Sequence, residues 1–296
     1  MPDPTLPNPD TPLWRKAAPV LFLLLWSGGF VFVKLGLQYA QPLTFLALRF
    51  ACVGVILMLP FLWLRPQVPD SRSGWMHLAI VGVLMQPGYL CGTYLSMKNG
   101  MSAGAVALIT CQQPILIGLL APIFAHERVD VRRWAGLVLG VGGACLVIVA
   151  NASIKAASLA GVMFSVLALF ALTAGTLWEK RFGAPVHPVT AGIVQCLVGL
   201  AISLPLALSL ETLQLQWAPG LMLSLAYLVL GTSIVAISLL LAMIRHGEAS
   251  RVSALFFLVP PVTAVIAALA LGESVPALAW LGMALAAVGI HLVMRT

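Results

Sequence analysis

Charge is what this chain of 296 residues has least of: 8% of the residues are charged and 61% are hydrophobic. A soluble domain carries roughly 25% charged residues. So few charges cannot cover a water-facing surface, which excludes a soluble globule and leaves lipid as the solvent. Acids are scarcer still. The nine are Asp3, Asp10, Asp70, Glu127, Asp130, Glu179, Glu211, Glu248 and Glu273, each in a tail, a loop or the last turn of a helix. That arrangement leaves no carboxylate at mid-membrane depth for a proton relay or an intramembrane acid pair. A Gly-rich phosphate loop is also lacking, which excludes ATP-driven transport within this chain. The five cysteines fall inside apolar runs without metal-ligand spacing, so neither a metal nor a disulfide is expected. No cofactor is called for. The net charge of +7 includes no basic cluster on a soluble element, so nucleic acid is not an expected partner.

What is present is apolar sequence in runs about 20 residues long, the length that crosses the hydrocarbon core as a helix. These runs predict ten transmembrane helices at 17–36, 42–64, 74–97, 102–125, 132–150, 158–180, 188–209, 218–244, 249–271 and 277–294. Turn signals such as Gln41-Pro42, Asn99-Gly100, Pro185, Pro219 and Gly272 separate them. Residues 1–16 read as a disordered cytoplasmic tail, with four prolines before Pro12. Arg15 and Lys16 precede the first run as in a signal peptide, but no small-residue cleavage site follows, so the run reads as a retained helix. Twelve Lys and Arg fall on the N-terminal side of the membrane (Arg65, Arg72, Arg128, Lys180 and Arg245 among them), against Lys34, Lys98 and Lys155 on the other. The excess predicts a multi-pass protein of the inner, cytoplasmic membrane with both termini in the cytoplasm.

The two halves repeat at a shift of 146 or 147 positions. Lys34, Pro42 and Thr44 fall on Lys180, Pro188 and Thr190; Pro114 falls on Pro261; Glu127, Trp134 and Gly136 fall on Glu273, Trp280 and Gly282. Residues 17–150 and 158–294 are therefore two five-helix repeats forming one transport domain. An odd number of helices per repeat makes them run oppositely, so the fold class is all-α integral membrane with inverted repeats, the recurrent design of secondary transporters.

Helix 1 carries Leu25-Trp26-Ser27-Gly28-Gly29-Phe30 with Lys34, helix 2 carries Pro42 to Leu48-Arg49-Phe50, and Pro114 is followed by Glu127. With the paired repeats, these motifs resemble the EamA-type drug/metabolite transporter superfamily over nearly the whole chain, and within it the YddG-type exporters of aromatic and other neutral amino acids. The resemblance implies that helices 1, 3, 4, 6, 8 and 9 surround a substrate cavity.

Polar and helix-breaking residues near mid-span point to the same helices, because lipid would leave them unsatisfied. The candidate substrate-binding residues are Trp26, Ser27, Arg49, Gln86, Tyr89, Gln112, Phe170, Thr173 and Ser233; the candidate kink or gating residues are Gly28, Pro114 and Pro261. Each also has a plainer reading. The glutamines can bridge neighbouring helices, a polar contact worth about 0.6 kcal/mol. Trp26 and Gly28 can serve packing alone, and Pro114 and Pro261 free backbone carbonyls that bend a helix. Arg49 can bind a substrate carboxylate, cap backbone carbonyls or reach a lipid phosphate. Small residues from Gly136 to Gly143 and from Gly282 to Gly289 predict close packing of helices 5 and 10, as a scaffold or against a second copy.

An enzyme is not expected, since acids and histidines all lie near a surface. A channel lacks a filter segment or charge ring. Phosphorylated substrates call for several deep cations and cationic drugs for a buried carboxylate, which leaves multidrug or nucleotide-sugar export as alternatives of the same superfamily. The reading that remains is a secondary exporter of small neutral or zwitterionic metabolites, aromatic and apolar amino acids above all, working by alternating access. The expected partners are the substrate and membrane lipid, in a monomer or weak homo-oligomer. Without a deep carboxylate, facilitated rather than proton-driven flux is expected, although carbonyls freed at Pro114 or Pro261 leave a sodium site open.

Overall fold

The computed structural model describes residues 13–117, 120, 131–152, 159–183, 186–245 and 249–294. Their helices are α1 (Leu13–Gly36), α2 (Pro42–Leu64), α3 (Arg72–Lys98), α4 (Ala103–Ile117), α5 (Val131–Ala152), α6 (Leu159–Phe182), α7 (Pro188–Leu210), α8 (from Pro219 to Arg245), α9 (Ala249–Leu271) and α10 (Ala277–Met294). Among the described residues the one extended contact is an isolated antiparallel bridge between Ala40 and Leu215. Six helices, α1 to α3 and α6 to α8, are long and apolar enough to cross a membrane, and α4, α5, α9 and α10 contain shorter apolar stretches. Large apolar side chains such as Val55, Leu59, Trp63 and Leu269 are exposed, as lipid contact requires. The protein is an all-helical, multi-pass membrane protein.

Local signals set the helix ends. Pro42, Pro188 and Pro219 occupy first turns, where a missing N–H costs nothing. Ser71 and Ser102 cap α3 and α4 by accepting from Gly74 N at 3.0 Å and Ala105 N at 3.1 Å. Gly100 and Gly272 hold φ of 94° and 64°, the left-handed conformation that ends a helix. One boundary differs from expectation: residues 13–16, assigned above to the tail, are helical. No proline interrupts propagation between Pro12 and Pro19. The rest of the tail, much of the far part of the fourth expected span, and Glu127 and Asp130 lie outside the described residues.

Two helices change character at mid-length. α3 is π-helical over Leu84–Cys91, and α8 is π-helical over Tyr227–Ala236. These are the third helix of each half. Such stretches loosen the i→i+4 ladder and occur preferentially at functional positions. α4 is interrupted by a turn at Cys111 and Gln112, just before Pro114, whereas α9 runs on through Pro260 and Pro261.

Contacts between connections fix the helix directions. At one end, Gln216 N donates to Tyr39 O at 2.9 Å and Lys34 Nζ donates to Met101 O at 2.9 Å. Lys34 also pairs with Glu273 there. The α1–α2, α3–α4, α7–α8 and α9–α10 connections thus meet at what we term the Gln41 end. At the other, Thr190 Oγ1 donates to Gln67 O at 2.9 Å and His77 stacks on Phe182. The α2–α3 and α6–α7 connections therefore share the Gln67 end. α1 finishes at the Gln41 end and α6 at the Gln67 end; α2 starts at the former and α7 at the latter.

Packing follows the same pairing. α2 lies against α7 and α5 against α10, while α1 packs on α8 and α9 as α6 packs on α3 and α4. The α5–α10 contact is backbone to backbone: a Cβ added at Gly143 or Gly282 would meet the other's carbonyl oxygen, and one at Gly289 would meet that of Gly136. The small-residue pattern thus braces these two helices on each other. Gly282→Ala should lower stability by about 2 kcal/mol through overpacking. Gly142→Ala should not lower it, because a Cβ there meets nothing within 4 Å and alanine favours the helix. Thermal unfolding in detergent compares the two, and equal midpoints would refute the packing account.

Candidate functional site

A cavity of about 570 Å³ lies between the halves. Its wall takes Trp26, Gly29, Phe30 and Val33 from α1, Arg49 and Phe50 from α2, and Gln86, Tyr89 and Thr93 from α3. α6 adds Leu172 and Glu179, α7 adds Gln195 and Cys196, and α8 adds Leu228, Thr232, Ser233 and Leu241. Both π-helical stretches face this space. The cavity extends along the helices to the exposed Glu179 and to Val186 at the Gln67 end. Most of the wall is apolar, so a ligand seated here buries apolar surface and meets a few fixed polar groups.

Among the described residues Arg49 is the cation on this wall, with 6% of its surface exposed. Its Nη1 donates to Tyr94 Oη at 3.2 Å and its Nη2 to Ser233 Oγ at 3.1 Å. Gln86 Nε2 donates to Gln195 Oε1 at 3.2 Å. Thr93 Oγ1 donates to Tyr89 O at 2.9 Å, satisfying a carbonyl of the π-helical turn. Thr232 Oγ1 is buried without a partner. Trp26 is half-buried on the rim and meets Phe256 edge-on, its ring centroid 5.9 Å away.

The Gln41 end is closed by polar contacts between the halves. Glu211, just beyond α7, accepts from Leu43 N and Thr44 N at 2.8 Å each and from Thr44 Oγ1 at 2.7 Å. It thereby caps the first turn of α2, whose own N-cap residue Gln41 makes no side-chain cap. Glu273 takes the Lys34 ion pair and accepts from Ala103 N at 3.3 Å. Gln41 Nε2 donates to Thr212 Oγ1 at 3.1 Å.

Of the expected substrate-binding residues, Trp26, Arg49, Gln86, Tyr89 and Ser233 meet on the cavity wall. The other four do not. Ser27 is buried against α9, donating to Val259 O and accepting nothing from the cavity, while its carbonyl takes Thr263 Oγ1. Gln112 turns toward α5 and donates to Gly140 O at 2.9 Å, because the break in α4 swings it off the wall. Thr173 is buried and donates back to Leu169 O. Phe170 is exposed on the outer surface, where an aromatic ring is at home in lipid. Among the kink candidates, Gly28 makes room for the Tyr227 ring, whose hydroxyl bonds the carbonyls of Leu24 and Leu25. Gln195, Thr232, Glu211 and the Lys34–Glu273 pair were not among the expected site residues. For Gln195 a signal existed, since it falls on Arg49 at the repeat shift.

The model of the EamA-like transporter family matches twice, over residues 17–149 and 159–295. The chain belongs to the EamA-like transporter family. Among its relatives, a "Probable amino-acid metabolite efflux pump" of Salmonella typhimurium is 26% identical over 284 residues, covering 92% of each chain. The "Uncharacterized transporter YvbV" of Bacillus subtilis is 24% identical over 286 residues, covering 95% of this chain and 92% of its own. The "Uncharacterized inner membrane transporter YedA" of Escherichia coli is 21% identical, covering 91% and 87%. A crystal structure at 18% identity aligns with a TM-score of 0.66 over 94% of this chain and 95% of the other, which shows a shared fold. This EamA-family protein is a membrane transporter.

Proposed function

We propose that this transporter exports small neutral or zwitterionic metabolites, aromatic and other apolar amino acids above all, from the cytoplasm by alternating access. The observation that carries the reading is the cavity between the halves, closed by polar contacts at the Gln41 end and reaching the Gln67 end. In this reading ten spans form two inverted five-helix repeats, residues 17–150 and 158–294. The opposite directions of α1 and α6, and of α2 and α7, support the inversion. The excess of Lys and Arg supports placing the Gln67 end and both termini in the cytoplasm, with the protein in the inner membrane. The structure then corresponds to the inward-facing state, loaded from the cytoplasm. A blind cavity suits a carrier rather than a channel. The apolar wall with Trp26 and Tyr89 suits an apolar side chain, and the Salmonella relative's name points to amino-acid metabolites.

Among the described residues the one carboxylate on the wall is Glu179, at the mouth. We therefore expect flux down the substrate's own gradient. The test uses sealed proteoliposomes preloaded with L-phenylalanine, with and without a pH gradient at fixed membrane potential. Efflux is expected in both at rates within about twofold. Accumulation against the substrate gradient, driven by pH and lost with a protonophore, would overturn facilitated transport; no flux of any amino acid would overturn the substrate class.

A further inference from the structure

Two hydrogen bonds across the cavity are related by the sequence repeat. Arg49 and Gln195 are 146 residues apart, and Gln86 and Ser233 are 147 apart. The Arg49–Ser233 contact joins α2 of the first half to α8 of the second; the Gln195–Gln86 contact joins α7 of the second to α3 of the first. Arg49 lies seven residues past Pro42, and Gln195 seven past Pro188. Each is about 10 Å along its helix, but from opposite ends, so one tie lies toward the Gln41 end and its mate toward the Gln67 end. They are equivalent in place and unequal in charge: one holds a guanidinium, the other two neutral amides.

That guanidinium is buried, and both of its side-chain partners are neutral. Among the described residues no carboxylate lies within 4 Å of the Arg49 guanidinium, so none compensates it. A buried charge without a counter-ion is costly and is stabilised strongly by an anion that reaches it. The remaining N–H donors of the guanidinium suit a bidentate carboxylate.

From this we infer that the Arg49 guanidinium reads a single carboxylate on the substrate in competition with Ser233, so that binding releases the α2–α8 tie and leaves its neutral mate, Gln86–Gln195, in place. The inference rests on the cavity being the transport site and narrows its substrates to monocarboxylates with an apolar remainder. A neutral amide leaves the tie closed, a cation is repelled, and a second carboxylate finds no second cation among the described residues of the wall.

The experiment is thermal unfolding of the purified full-length protein in detergent, titrated with 3-phenylpropionate, L-phenylalanine and L-phenylalaninamide. In the wild type both acids should raise the midpoint, at concentrations about tenfold below any effect of the amide. Arg49→Gln should raise the half-effect concentration of the acids to that of the amide. Ser233→Ala should lower it several-fold, because the competitor is gone. Arg49→Lys, which keeps the charge but loses the fork, should retain the preference for acid in weakened form, and with Ser233→Ala it decides the matter if Arg49→Gln does not fold. Equal responses to acid and amide, an unchanged response in Arg49→Gln, or no wild-type response to any of the three would overturn the inference. Carboxylate binding without L-phenylalanine flux in proteoliposomes would overturn the transport reading alone.

Discussion

A disulfide between cysteines placed at Ala40 and Leu215 should arrest transport completely, and dithiothreitol should restore it. Gln41 N bonds Gln214 O and Gln216 N bonds Tyr39 O, so Ala40 and Leu215 form the non-hydrogen-bonded pair of an antiparallel bridge. Such pairs hold their Cα atoms about 4.5 Å apart, within the range that a disulfide spans without backbone movement. The bridge joins the α1–α2 connection of the first half to the α7–α8 connection of the second. Under the proposed alternating access, release at the Gln41 end requires these to part, which an intact disulfide prevents. The five native cysteines that would confuse the oxidation are all free, so they can be replaced first. Efflux of L-phenylalanine from proteoliposomes is the readout, with each single cysteine variant as control. Full efflux with the disulfide quantitatively formed would show that the Gln41 end need not open.

The helical runs were legible because hydrocarbon thickness fixes their length and because prolines, glycines and serines mark their ends. The repeat was legible because helix starts at Pro42 and Pro188 and the lysines before them recur in one register. Facing direction was not. These helices are apolar nearly all round, so periodicity cannot separate a lipid-facing side from a partner-facing one. Phe170, exposed, and Thr173, buried against its own helix, are three residues apart on α6 and neither reaches the cavity. Gln112 was misplaced for a different reason, since the turn at Cys111 and Gln112 changes which way the side chain leaves the helix. Arg49, Gln86 and Ser233 were recognisable as polar groups too deep for lipid, but their pairing required knowing that α2 meets α8 and α3 meets α7. The π-helical turns left no local mark beyond Pro87 and Gly231.

Replacing Glu211 by alanine should open the Gln41 end. This carboxylate sits in a connection, where sequence alone makes it an ordinary surface residue, yet it accepts three hydrogen bonds from the first turn of α2. A hydrogen bond to a charged group contributes about 1.5–3 kcal/mol net, and an anion at a helix N-terminus adds about 0.3–1 kcal/mol. Water refills part of that loss at a half-exposed site, so roughly 3 kcal/mol of cross-half stabilisation should disappear, a factor of about 150 in an equilibrium. Under the proposed alternating access, opening this end parts the start of α2 from Glu211, so the loss falls on the closed form. Labelling of Leu215→Cys by a membrane-impermeant maleimide from the Gln41 side should accelerate about 100-fold with Glu211→Ala. Glu211→Gln keeps one acceptor oxygen and should accelerate it about tenfold. Thermal unfolding separates this from simple damage to α2. If the midpoint falls while labelling stays slow, Glu211 is a helix cap that contributes to folding, and the closure of the Gln41 end rests on Lys34, Glu273 and the Ala40–Leu215 bridge.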